Sequence, residues 1–249
     1  MVDKYIVSKE RDCDVLETRQ LVPARKLELL IGGRGVDVDA FNPDADDMIP
    51  VEEARRAVGL PRRWRKVVGY AGSCRPDAGG ADLLRAIDRI GDRRRDAGWL
   101  VAVDEETPEA MRRRLAERAD GGLVHLHDGA VDPCFFRALD LYAAVDHSDG
   151  GSRRPMEAQA MRVPVVAYRT AEYGSVVADG QTGRLVEIGE VDGLVGTLLG
   201  LFDDPKRVRD FGRRARARST KRFDRKHVEN QILRLYDALL EEKLTEESS

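Results

Sequence analysis

From residue 66 onward the sequence alternates short apolar runs with amphipathic stretches, and this alternation constrains the fold more than any other feature. "KVVGYAG" (66–72) reads as a strand entering a glycine turn, and in the stretch 81–98 Leu83, Leu84, Ile87 and Ile90 recur at helical spacing. The same pairing repeats. "WLVAV" precedes "TPEAMRRRLAERA", in which Thr107 reads as the N-cap and Pro108 as the first turn; "LVHLH" precedes "DPCFFRAL". "DLYAAV" precedes a turn and short helix, "VPVVAY" precedes "EYGSVVADG", and "GRLVEI" precedes "VDGLVGTLLGLF". Strands that are apolar throughout and separated by helices predict a doubly wound parallel sheet covered on both faces, an α/β, Rossmann-like fold.

The two ends differ from this middle. The start supplies a strand, a helix and a second strand before a Gly/Asp/Asn/Pro-rich crossing. The end supplies a basic helix opened by Asp204 and Pro205, then a helix whose Val228, Ile232, Leu235, Leu239 and Leu240 form one apolar stripe. The expected organisation is a leading segment over 1–36, the α/β domain over 37–225, and a C-terminal amphipathic helix with a frayed tail over 226–249.

Composition narrows the partners. The net charge is −3 although 35% of the 249 residues are charged, so the balance gives no general attraction to nucleic acid. No window of about 18 uncharged apolar residues occurs, and the first residues lack a signal-peptide core, so the expected location is the cytoplasm. Cys13, Cys74 and Cys134 are odd in number and form no CxxC pair, which argues against disulfides and structural zinc. His125 and His127 alternate along one strand beside Asp128, but no third ligand completes a metal site, and a structural role is the expectation. Neither a Walker-type lysine loop nor a GxSxG elbow is present. The basic stretch from Lys206 to Lys226 reads as a solvated helix face, with docking on an anionic membrane as the alternative.

The stretch 147–157, "HSDGGSRRPME", sets Asp149 and Glu157 on either side of a Gly-Gly turn that feeds a helix, an arrangement that suits an anionic ligand. Together with "GVDVDAFNP", "RRAVGLP", "VVGYAG", "ALDLYAAV", "ADGQTGRLV" and "LYDALL", in that order, it resembles the C-terminal, donor-binding half of retaining nucleotide-sugar glycosyltransferases of the two-Rossmann (GT-B) type. The likeness runs from about residue 35 to 242. Residues 2–34 resemble the end of that family's acceptor domain, whose remainder is missing, so an acceptor-domain protein or a second copy is the implied partner beside the nucleotide sugar.

The resemblance assigns roles. Asp149 takes the position of the acid that contacts the donor sugar. The amides of Gly150, Gly151 and Ser152 hold sugar and phosphate, and Glu157 takes the ribose. Arg153 matches an arginine of many members, and Arg154 stands beside it. Gly72, Ser73 and Arg75 follow the first strand, where the family usually carries an arginine and a lysine for the diphosphate. Those two positions are Ser73 and Ala78, leaving Arg75 between them. Asp104, Glu105 and Glu106 replace a small-residue turn, and carboxylates there oppose a diphosphate by about a few kcal/mol. Val145 and Asp146 replace a proline–serine pair, and His147 stands next to the turn. No metal or other cofactor is implied. The resemblance thus implies retaining hexosyl transfer, and the loss of cations implies the alternative of an inactive remnant that acts as a binding or assembly module.

Overall fold

A computed structural model describes residues 4–7, 10–29, 33, 35–147 and 153–247. Strands β1 (Tyr5–Val7) and β2 (Leu27–Leu29) pair in parallel across helix α1 (Glu10–Thr18) and form a small separate sheet. The crossing follows, and then α2 (Val51–Ala57), which periodicity alone did not mark because it is a helix of seven residues.

The main sheet holds β3 (Lys66–Gly72), β4 (Ala97–Val103), β5 (Val124–Leu126), β6 (Leu141–Ala144), β7 (Val165–Tyr168) and β8 (Gly183–Val186). All pairings are parallel, in the order β5-β4-β3-β6-β7-β8. The chain builds outward from β3 in one direction, then returns to β3 and builds outward in the other. Helices α3 (Gly80–Arg93), α4 (Glu109–Asp120) and α8 (Val191–Phe202) cover one face; α5 (Pro133–Arg137), α6 (Arg154–Ala160) and α7 (Ala171–Val176) join α2 on the other. Alternation along β3 divides the core accordingly: Val67 and Ala71 pack toward the α2 side, Val68 and Tyr70 toward the α3 side.

Helix α9 (Pro205–Arg222) runs along α6, and α10 (Arg225–Glu247) continues beyond it. Asp204 caps α9 by accepting the Arg207 amide at 2.9 Å, as its sequence position predicts. Arg216 of α9 donates to the carbonyls of Phe41, Ala160 and Val38 and to Asn42 Oδ1, pinning the crossing to the end of α6. Val36 bridges to Asp224, and Arg225 pairs with Asp37.

Two expectations need correction. Thr107 does not cap α4: Pro108 is extended and occupies the N-cap position, while the Thr107 hydroxyl accepts the Cys74 amide at 3.1 Å. The strand carrying the histidine pair ends at Leu126, so only His125 lies within it. Along the C-terminal stripe Val228 is buried, Ile232 and Leu235 face Ile6 and Leu29 of the leading segment, and Leu240 is 60% exposed.

Candidate functional site

In an open parallel sheet the carboxyl ends of adjacent strands diverge where the winding direction reverses, and a crevice opens there. Here that point lies between β3 and β6. A cleft of about 600 Å3 occupies it, floored by Ala71 and Ala102 and walled by the loops that leave β3, β4, β5 and β6.

The floor is set by backbone packing. Gly79, at φ +100°, precedes α3, and a Cβ there would stand 1.9 Å from the Val145 carbonyl oxygen, so the start of α3 lies directly against the loop after β6. The amides of Ala78, in the turn before α3, and of Gly80, its first residue, both donate to the Arg75 carbonyl. Tyr70, its phenol held well above the usual range by burial, donates to the Ser73 carbonyl at 2.8 Å and fixes the turn after β3. Ser73 lines the cleft, and its Oγ is buried with no hydrogen-bond partner among the described residues. Next to it the Cys74 thiol is pushed up to about 11 by burial and by Asp104, so it stays protonated.

Charge is arranged unevenly around the rim. Asp104, Glu106, Asp128 and Asp146 line the cleft, facing Arg75 and Arg154. Arg75 is forked onto Asp77, with Nη2 to Oδ2 at 2.8 Å, and is held above its usual range first by that bond and then by Asp77's charge, with smaller contributions from Glu106 and Asp146. The acid-bearing loop after β4 is fixed by Arg112, which donates to the carbonyls of Asp104 and Thr107. Arg154 donates to the Val131 carbonyl at 3.1 Å and to Glu157 Oε2 at 2.8 Å. Arg153 approaches Glu157 Oε1 at 3.5 Å, so the Glu157 carboxylate, 3% exposed, lies behind two guanidinium groups from the preceding turn.

The structure therefore brings Gly72, Ser73, Arg75 and Arg154 to one cleft and ties Arg153 and Glu157 to it through Arg154. Asp149, Gly150, Gly151 and Ser152 lie outside the described residues. Of the replacement acids, Asp104 and Glu106 face the cleft and Glu105 is not among its wall residues. His147 stacks toward Tyr168 at 6.4 Å, and its amide donates to Ala78. Sequence reasoning missed His127, Asp128 and Val131 as cleft residues. Their signal was positional, since all three lie in the loop that leaves the carboxyl end of β5, the edge strand on one side of the sheet. The His127 ring bonds to the Ala130 carbonyl and packs on Phe135. Among the described residues no group of three or more His, Cys, Asp or Glu is placed to hold a metal ion.

Residues 51–218, from the first residue of α2 into α9 and including every cleft wall, match the family model of glycosyl transferases group 1. The chain belongs to that family. This group 1 chain is 28% identical over 214 residues, 83% of its length, to the lipopolysaccharide core biosynthesis mannosyltransferase LpsB of Rhizobium meliloti. It spans 60% of that relative's length and about half of other curated relatives it matches. Its fold is that of GT-B halves. HepE of Anabaena, solved in complex with UDP-glucose, superposes with a TM-score of 0.80 at 18% identity over 95% of this chain and 64% of that one. The C-terminal domain of the group 1 protein LpcC from Francisella tularensis is covered over 98% of its length, with a TM-score of 0.64, 18% identity and 76% of this chain aligned.

Proposed function

We propose that the cleft binds a nucleotide diphosphate sugar and that, with an acceptor domain presented beside it, the protein transfers a hexose with retention. The observation that carries this reading is the position of the cleft, at the carboxyl ends of β3 and β6 where the winding reverses. HepE, of the same fold, is solved with UDP-glucose. In this reading Glu157 takes the ribose hydroxyls, Ser73 Oγ and Arg154 meet the diphosphate, and Asp149 with the Gly150–Gly151 turn holds the sugar. An acceptor oxygen replaces the diphosphate at the anomeric carbon, the acceptor proton leaves with the diphosphate, and the guanidinium groups stabilise the charge that develops there. The chain's own residues supply this without a metal ion.

A second reading, an inactive binding module, is favoured by one observation: the rim sets four carboxylates against two arginines, and both arginines are already paired within the protein. One experiment separates the two. Thermal unfolding is followed with UDP, GDP, ADP and their sugar conjugates, for the wild type and Glu157→Ala, each compared with its own unliganded midpoint. Ligand at about a hundred times its dissociation constant stabilises by about 2.7 kcal/mol, which moves the midpoint by several degrees. The expected result is a shift with one base that the variant loses. No shift with any nucleotide would sink the donor-site reading and leave the binding module.

A further inference from the structure

Forked arginine–carboxylate pairs in this chain serve two different ends. Arg162 clasps both oxygens of Asp44, 118 residues away in sequence, and Arg94 clasps Asp96 while reaching Asp203, 109 residues away, so both hold distant parts together. Arg75 does not. It clasps Asp77, two positions on, inside the turn between β3 and α3. That turn is already set by Pro76 and by the amides of Ala78 and Gly80, which donate to the Arg75 carbonyl. The two side chains are 47% and 68% exposed, where an ion pair adds little to stability. Neither the fold nor the turn calls for this pair.

Its place at the rim gives it another use. Arg75 is part of the cleft wall and Asp77 is not, so the pair ties a cation of the cleft to a group outside it. A carboxylate and a phosphate each present two oxygens at a spacing that fits one edge of a guanidinium. Asp77 holds the Nε–Nη2 edge, with Nη2 donating to Oδ2 at 2.8 Å and Nε to Oδ1 at 3.3 Å. A phosphate that takes both nitrogens must displace it. The opposite edge shares Nη2, so a two-point clasp there also competes with Asp77. Glu106 and Asp146 act on Arg75 through their charge, more weakly than Asp77 does.

Charge decides which ligand feels this competition most. In a nucleotide sugar the terminal phosphate is esterified and carries one charge, whereas the diphosphate left after transfer ends in a group whose second pKa is about 6. The product therefore pulls harder on a guanidinium than the donor does. We propose, on the reading of the cleft as a donor site, that Asp77 is a built-in competitor for the terminal phosphate: its carboxylate takes the edge of Arg75 that the diphosphate would take, and so eases release of the product.

The test is calorimetric titration of the full chain and of Asp77→Asn with UDP, GDP, ADP and the glucose conjugate of each. The variant should bind one diphosphate about fivefold more tightly at low salt and gain less than about twofold for its conjugate. Adding Arg75→Gln to Asp77→Asn should cancel the gain. All variants lie on one exposed turn, so Tm should stay within about 2 °C of the wild type. Should Asp77→Asn shift it further, Asp77→Ser should give the same gain. Equal binding of one diphosphate by the wild type and the folded variant would overturn the role of Asp77 and leave the donor site standing. A gain that survives Arg75→Gln, or one as large for the conjugate as for the diphosphate, would also overturn it. No binding of any nucleotide by any of the proteins would overturn the donor site and the competitor together.

Discussion

The floor and the rim of the cleft are built by different rules. On the floor Ala71, Ala102 and Val145 are buried, and Gly79 leaves no room for a methyl group between α3 and the loop after β6. On the rim Arg75, Asp104 and Glu106 are exposed, and the fold asks little of their side chains. The floor is therefore held by sterics that hardly tolerate exchange, while the rim is free to change charge without disturbing the sheet. This is how a chain keeps a recognisable family match over 51–218 while serine and alanine stand where cations are expected.

The sharpest way to break this contrast is at Gly79. Gly79→Ala adds a Cβ against the Val145 oxygen at a positive φ and should destabilise by about 3 kcal/mol, read from urea unfolding. A loss below about 1 kcal/mol would mean that the floor yields as easily as the rim. On the rim, Asp104→Asn with Glu106→Gln should leave stability within about 0.5 kcal/mol, since both are surface changes. The same pair should raise affinity for a nucleoside diphosphate about tenfold at low salt, measured by calorimetry, by removing two repelling charges. An unchanged affinity would place the diphosphate elsewhere.

His125, beside Gly59 at the edge of the sheet, is the intermediate case. Burial holds its imidazole below the ordinary value of 6.5, assisted by the charge of His127 and opposed by the Val58 backbone and Asp128. A depressed histidine is neutral in the folded state when the unfolded chain has begun to take up a proton. Stability should therefore be full above pH 6.5 and decline as pH falls through 6.5 toward the lower folded value. The decline attributable to this group should be under about 1 kcal/mol, and His125→Asn should remove it. Equal slopes for the two proteins over that window would contradict a half-buried, neutral His125.

What the sequence revealed follows the same division. The β/α alternation, the Asp204 cap and the two-faced core were legible because each strand and most helices carry their own apolar period. Thr107 was misread because a hydroxyl before Pro-Glu resembles a cap, whereas in three dimensions the Cys74 amide competes for it. In the site, Ser73, Arg75 and Arg154 came from motif position, but the Arg75–Asp77 fork and the Arg154–Glu157 pair are rotamer choices that a linear string does not encode. His127, Asp128 and Val131 were missed because loop residues carry no period at all.

The tie between Asp37 and Arg225 spans 188 residues of chain. During synthesis β3 and β6 can pair, at Val68 and Leu141, long before Arg225 emerges from the ribosome. The cleft is thus assembled early and the crossing is locked late, so a nascent chain holds a nearly complete sheet whose leading segment still hangs free. Each later closure of that loop adds little entropy cost per added residue but must wait for α9 and α10. Loss of the last helix should therefore appear first as a slow or failed final folding phase, with the sheet already formed.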